Sequence, residues 1–258
     1  MRVMRRRRRS PVHETGNGWT LLCEVVLFSL TRLLGRRHFV GAEHLQVPGP
    51  VLLVSNHISH LDPVYDAVYV RKTGRLPHIL AKASLWTLPV VGAVVRGTGQ
   101  IPVERGGGQG QVGLDRAVRT LADGGVVLIY PEGTVTRDPD LWPMRPRPGV
   151  AALALSGDFP VLPMAQWGTH RVYRSYGNRR LRLWPRSDIT VAVGPPIDLS
   201  VHRGRPVDAR AIRDVSYLLM ESVRDLLATL RPDPPPDSFF DPKRADRTAA
   251  AAGDGPGR

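Results

Sequence analysis

The sequence predicts an α/β domain: a mainly parallel or mixed sheet covered by helices on both faces, preceded by an N-terminal membrane-associating helix. Three observations lead there. Apolar runs of strand length, at residues 51–55 and 126–130, lack polar alternation, as strands buried on both faces do. They alternate with stretches whose apolar residues recur at near-helical spacing. A chain of 258 residues, 42% hydrophobic, is long enough to bury one large core.

Residues 1–17 contain the arginine run 5–9 and read as a disordered basic leader. Residues 19–34 form the most apolar stretch, but sixteen helical residues rise about 24 Å against a hydrocarbon core of ~30 Å, and Glu24 and Arg32 interrupt the surface. Gly35-Arg36-Arg37-His38 follows where a signal peptide would carry small residues for cleavage. The segment 18–35 is therefore expected to lie in a membrane interface, with the arginine run drawn to anionic head groups.

A catalytic domain is expected over 36–231. Strands at 39–41 and 51–55 bracket the turn Pro48-Gly49-Pro50, and a helix starts at Pro63 with Asp62 before it. A strand at 77–81, helical turns over 84–95 broken by Pro89 and Gly92, and a strand at 100–103 follow. The glycines 106–108 link to a helix over 109–122, and the strand 126–130 leads into a proline-rich loop at 138–149. A helix at 149–156, strands at 160–166 and 189–193, and a long helix over 208–230 complete the domain. The last helix shows an apolar face of Ile212, Val215, Leu219, Val223 and Leu226. Residues 232–258, rich in Pro, Asp, Ala and Gly, read as a disordered tail.

A formal charge of +13 and a pI near 11.0 predict attraction to polyanions. Only three of the 36 basic residues are lysines, so most of the positive charge is guanidinium, which grips phosphate bidentately. With no nucleic-acid motif or aromatic stacking platform, the expected partner is an anionic membrane surface and not nucleic acid. The single cysteine, Cys23, excludes an internal disulfide and a cysteine-based metal cluster, and fits a cytosol-facing location. No strand is followed by a Gly-x-Gly-x-x-Gly or Walker loop.

Two short patches carry the chemistry. In Asn56-His57-Ile58-Ser59-His60-Leu61-Asp62, His57 can take a proton near neutral pH, its unperturbed pKa being ~6.5. Five positions in a continuous helix would turn Asp62 about 140° away, so His57 must sit on the strand-to-helix loop for Asp62 to reach its ring. Asp62 before Pro63 also suits a helix N-cap, and His60 is a rival base. Without a positioned serine or cysteine, such a dyad suits a base acting on a substrate hydroxyl. In Tyr130-Pro131-Glu132-Gly133-Thr134, Glu132 is held at a tight turn where it can hydrogen-bond a polyol hydroxyl. The Gly133 and Thr134 N–H groups and the Thr134 hydroxyl can meet phosphate or an oxyanion. Arg105 leaves a strand end, where it can clamp a phosphate. If strands 51–55 and 126–130 are parallel neighbours, both patches lie at carboxyl ends, where open α/β sheets place their crevice.

Together these residues resemble the glycerolipid acyltransferases of the lysophosphatidic acid acyltransferase type. The four ordered blocks are Asn56 to Asp62, Gly99 to Arg105, Pro131 to Thr134, and Val161-Leu162-Pro163-Met164. The resemblance implies that His57, oriented by Asp62, deprotonates the free hydroxyl of a 1-acylglycerol 3-phosphate that attacks the thioester of acyl-CoA or acyl-carrier protein. Arg105, Glu132, Gly133 and Thr134 would hold the glycerol phosphate, with no metal, cofactor or covalent acyl-enzyme required. Lys82 matches a lysine frequent in the family. Val135 replaces an arginine common after Pro-Glu-Gly-Thr, leaving Arg137, and Arg147 in place of a common lysine, as further candidates for the acceptor phosphate. Glycerol 3-phosphate, another lyso-lipid, or plain thioester hydrolysis are the alternative substrates and outcome. The resemblance also implies peripheral or monotopic attachment to the cytoplasmic face of the cell membrane, and the loop tip at 141–144 and the acid-free stretch 171–186 could share the docking face.

Overall fold

The computed structural model describes residues 13–104, 110–176 and 180–253, with side chains described to residue 247. Arg105 and the arginine run 5–9 lie outside the described residues. Seven strands form one mixed sheet in the order β1-β7-β6-β2-β5-β3-β4: β1 Gly35–Val40, β2 Val51–Ser55, β3 Pro77–Lys82, β4 Ile101–Val103, β5 Val126–Ile129, β6 Val161–Trp167 and β7 Ser187–Val193. All neighbouring pairs are parallel except β6 with β7.

The unbroken apolar runs have the predicted cause. Leu52, Val54, Val127 and Ile129 pack into one core and Val51, Leu53, Val126 and Leu128 into another, because successive side chains point to opposite faces. The first face is covered by α4 (Gly110–Ala122), α5 (Gly149–Ala154) and α7 (Ala209–Ala228); α2 (Asp62–Lys72) packs on the second through Tyr65, Tyr69 and Val70. β2 and β5 are parallel neighbours with Val54 opposite Ile129, so the segments after them emerge side by side.

At the N-terminus, α1 (Gly18–Leu34) begins at Asn17, whose side chain accepts the Thr20 N–H, and runs directly into β1. Among the described residues no helix is long and apolar enough to cross a membrane. The polar interruption at Glu24 has a structural partner, Arg71 of α2, at 2.8 Å. Trp19, Leu21, Leu22, Val25 and Leu33 nevertheless point outward, Val25 being 69% and Leu33 70% exposed. α3 (Pro89–Gly97) continues this surface: the Trp19 indole lies against Gly97, the Asn17 side chain donates to the Gly97 carbonyl (2.8 Å), and Leu88, Val90 and Val91 are exposed.

Three expectations are corrected. The part of the leader that is described is ordered by Glu14, which pairs with buried Arg75 and accepts the Leu76 N–H. The tail includes a helix, α8 (Pro242–Gly253), preceded by Phe240, whose carbonyl accepts the Arg145 N–H (3.0 Å); Asp241 pairs with Arg145 and Asp246 with Arg137. These ion pairs and the short α6 (Thr169–Val172) have no signature in local composition. The loop tip at 141–144 is not a docking face, since Trp142 and Met144 are buried. The Arg231 guanidinium stacks between Trp142 and Trp167, 4.0 and 4.3 Å from their ring centroids, and helps bury Trp142.

Candidate active site

His57 sits on the loop after β2, and Asp62 opens α2. The loop doubles back between them, so that His57 Nδ1 lies 2.9 Å from Asp62 Oδ2. The same Oδ2 accepts the N–H groups of Ile58 (2.6 Å) and Ser59 (2.7 Å), and Oδ1 accepts the Thr169 hydroxyl (2.5 Å). Asp62 does not cap its own helix: its side chain turns upstream to the loop amides, and Leu61 holds the N-cap position without a side-chain bond. A carboxylate surrounded by donors can only accept, so the imidazole proton belongs on Nδ1 and the lone pair on Nε2. The His57 side chain is 12% exposed, enough for one edge to meet a substrate.

The rest of the loop is anchored at long range. Asn56 extends the pairing of β2 with β6, donating to the Gln166 carbonyl (3.1 Å) and accepting the Gln166 N–H (2.9 Å). The Ser59 hydroxyl donates to the Tyr173 carbonyl, and Ser175 accepts the His60 N–H. Ser59 is thus engaged in structure, and His60 is exposed.

The Pro-Glu-Gly-Thr turn reaches the same histidine. Glu132 Oε1 accepts the His57 N–H (2.9 Å), Oε2 accepts the Met144 N–H (3.0 Å), and the Thr136 N–H donates to the His57 carbonyl (2.6 Å). Burial pushes the Glu132 carboxyl up to about 8. Glu132 therefore does not face a polyol hydroxyl as expected: it is buried, and both its oxygens tie His57 to the following loop. The Gly133 N–H is also committed, to the Tyr130 carbonyl (3.0 Å), at a φ of 71° that favours glycine. The Thr134 hydroxyl lies 3.2 Å from the Tyr176 hydroxyl, and Val135 is buried.

A cavity of about 450 Å³ opens beside the turn, between the carboxyl ends of β3, β4 and β5. Leu80, Val103, Leu114, Ile129 and Val150 give it apolar walls, while Lys82 and Arg147, both exposed, supply positive charge. Arg147 is seated on the turn: its Nε approaches the Glu132 carbonyl (3.3 Å) and lies where a Cβ on Gly133 would be. Lys82 and Arg147 are thus brought together with Gly133; Arg137 is not, being paired in two-pronged fashion with Asp246.

With this geometry in place, comparison with known proteins is decisive. The family model described as Acyltransferase matches residues 36–167, just over half of the chain. The chain belongs to the acyltransferase family. It is 30% identical over 196 residues to a 1-acyl-sn-glycerol-3-phosphate acyltransferase of Limnanthes douglasii, covering 74% of this chain and 64% of the relative. It is 28% identical over 149 residues to the chloroplastic enzyme of the same name, BAT2, of Brassica napus (57% and 41%), and 32% identical over 171 residues to an N-acylphosphatidylethanolamine synthase of Arabidopsis thaliana (60% and 58%). The chain thus spans 41% to 64% of the length of these relatives. The crystal structure of the 1-acyl-sn-glycerophosphate acyltransferase PlsC from Thermotoga maritima shares the fold, with a TM-score of 0.61 at 20% identity, covering 83% of this chain and 81% of that one.

Sequence reasoning found His57, Asp62 and the turn but missed Asn56, Gln166 and Thr169 as the braces of the dyad. Asn56 stood inside the motif. Thr169 carries no signal of its own, because it meets Asp62 only through the pairing of β6 with β2.

Proposed function

We propose that this acyltransferase moves a fatty acyl group from a thioester, acyl-CoA or acyl-carrier protein, to the free hydroxyl of 1-acylglycerol 3-phosphate, giving phosphatidic acid. The observation that carries the proposal is the His57–Asp62 contact, which leaves Nε2 to act; Tyr130, stacked on the imidazole, also lines the apolar cavity that bears Lys82 and Arg147. In this reading His57 Nε2 takes the hydroxyl proton as the oxygen attacks the thioester carbonyl, Asp62 stabilises the resulting imidazolium, and the proton passes to the departing thiolate. Lys82 and Arg147 hold the acceptor phosphate, and the apolar walls receive an acyl chain.

The acceptor lives in a membrane, and we place the enzyme at the cytoplasmic face of an anionic bilayer; the exposed apolar surface of α1 and α3 supports the docking itself. Leu181, Leu183 and the 82%-exposed Trp184, in the arginine-rich stretch, add to it. Deleting residues 1–35 is expected to weaken co-sedimentation with anionic vesicles; unchanged sedimentation contradicts the docking role.

The test of the activity is incubation with labelled acyl-CoA or acyl-carrier protein and a panel of acceptors, with products resolved by mass. Lysophosphatidate should be acylated best. The N-acylphosphatidylethanolamine synthase likeness favours one second reading, an amine acceptor, so phosphatidylethanolamine belongs in the panel. Acyl release without any acceptor would instead mark a thioester hydrolase.

A further inference from the structure

α2 carries two fully buried carboxylates one turn apart, and their surroundings differ. Asp62 accepts four hydrogen bonds. Asp66 accepts two on Oδ2, from the Tyr130 hydroxyl (2.6 Å) and the Gln166 amide (3.3 Å), and its Oδ1 has no partner among the described residues. Gln166 Oε1 is likewise buried and unpartnered. An unpartnered, buried carboxylate oxygen is costly as an anion, and a proton on Asp66 lowers that cost. Burial first, and then the charge of Asp62, pushes the Asp66 carboxyl well above the ordinary range, and burial holds the Tyr130 phenol well above its own. Both shifts favour the uncharged forms.

The Tyr130 ring also lies flat against the imidazole of His57, with centroids 4.3 Å apart and planes at 21°. Tyr130 is thus fixed at its hydroxyl by Asp66 and meets the base with its face. We propose that Asp66 and Tyr130 are positioning residues for His57: an uncharged carboxyl anchors the phenol, and the phenol face sets the plane of the imidazole and faces its positive charge after proton transfer. This rests on the reading of His57 as the base. An aromatic face attracts a cation, so the support acts most in the state where His57 is protonated. An apolar side chain at position 66 would avoid the orphan oxygens but leave the phenol without its acceptor.

Kinetics of near-isosteric variants test this. The ionisable groups that face His57 from the elements packed against it are Asp62 and Asp66 of α2 and Tyr130 and Glu132 of the turn; the three variants below alter Tyr130 and Asp66 and leave Asp62 and Glu132 in place. Tyr130→Phe, which keeps the ring and loses the anchor, should lower kcat about tenfold with acceptor KM within about twofold. Tyr130→Leu should lower kcat further and move the acid limb of the kcat/KM profile down by about half a pH unit. Asp66→Asn, uncharged and able to accept the Tyr130 hydroxyl, should keep kcat within about threefold and leave that limb in place. Wild-type kcat in Tyr130→Phe would overturn the proposal, as would a shift of about one unit in Asp66→Asn, which would make Asp66 an anion acting on the base directly. Should Asp66→Asn fail to fold, infrared spectroscopy of the wild type reads the same point: a protonated carboxylic acid band that moves on 13C-aspartate labelling is expected, and its absence overturns the proposal. Activity retained by His57→Ala defeats the base assignment itself, whereas an inactive His57→Ala beside a fully active Tyr130→Phe defeats only the support.

Discussion

The two ends of the crevice are built in opposite ways. Around His57 the ring, the backbone N–H and the carbonyl are each held by a named partner, and the carboxylates responsible are buried. At the cavity mouth, the Lys82 and Arg147 side chains are exposed; the Arg147 backbone N–H is fixed to the Pro131 carbonyl (2.9 Å), but its guanidinium meets the turn through one long hydrogen bond (3.3 Å). A base must be oriented before the substrate arrives, so its cost of ordering is met in folding. Cations that grip a phosphate need charge more than fixed geometry. Proton transfer is therefore expected to depend steeply on residues of the buried end, and acceptor preference to depend on the exposed end.

The largest break in that contrast is His57→Ala, which should lower kcat/KM by about four orders of magnitude with the fold intact, measured by steady-state acyl transfer and thermal unfolding. Next come Lys82→Ala and Arg147→Ala, each expected to raise the KM for a phosphorylated acceptor about tenfold while leaving kcat nearly unchanged. An equal loss in kcat would bring these cations into the transition state and erase the division. Another effect is on stability, through Glu132, and leaves the chemistry aside. Its folded pKa, about 8, lies above the ordinary glutamate value of 4.5, so between those values the folded state binds more protons than the unfolded one. Stability from this source is greatest below the lower value and falls as pH rises through the window. Relative to Glu132→Gln, the wild type should lose up to about 1.4 kcal/mol per pH unit there, read from urea unfolding at several pH values.

What could be read from the sequence was local. The unbroken apolar strands gave the sheet, and the five-residue spacing of His57 and Asp62 required a loop that folds back. What could not be read depends on partners far along the chain. Thr169 reaches Asp62 across 107 residues, and Glu132 reaches His57 across 75, so neither contact leaves a periodicity. Glu132 looked ligand-facing because a tight turn holds it where a polyol hydroxyl could meet it, yet two backbone amides, of His57 and Met144, occupy its oxygens. Trp142 and Met144 looked like a docking tip, but Arg231, from beyond α7, covers the first of them. The tail misled through its prolines, which cluster ahead of α8 while Pro242 opens it, at a first position that helices tolerate; ion pairs of Asp241 and Asp246 with Arg145 and Arg137 hold it.

The central claim is that His57 and Asp62 act as one unit, and a double-mutant cycle of kcat/KM tests it most directly. Asp62→Asn should cost about two to four orders of magnitude, and His57→Ala combined with Asp62→Asn should be no slower than His57→Ala alone. Losses that simply multiply in the double variant would show two independent contributions and contradict the account.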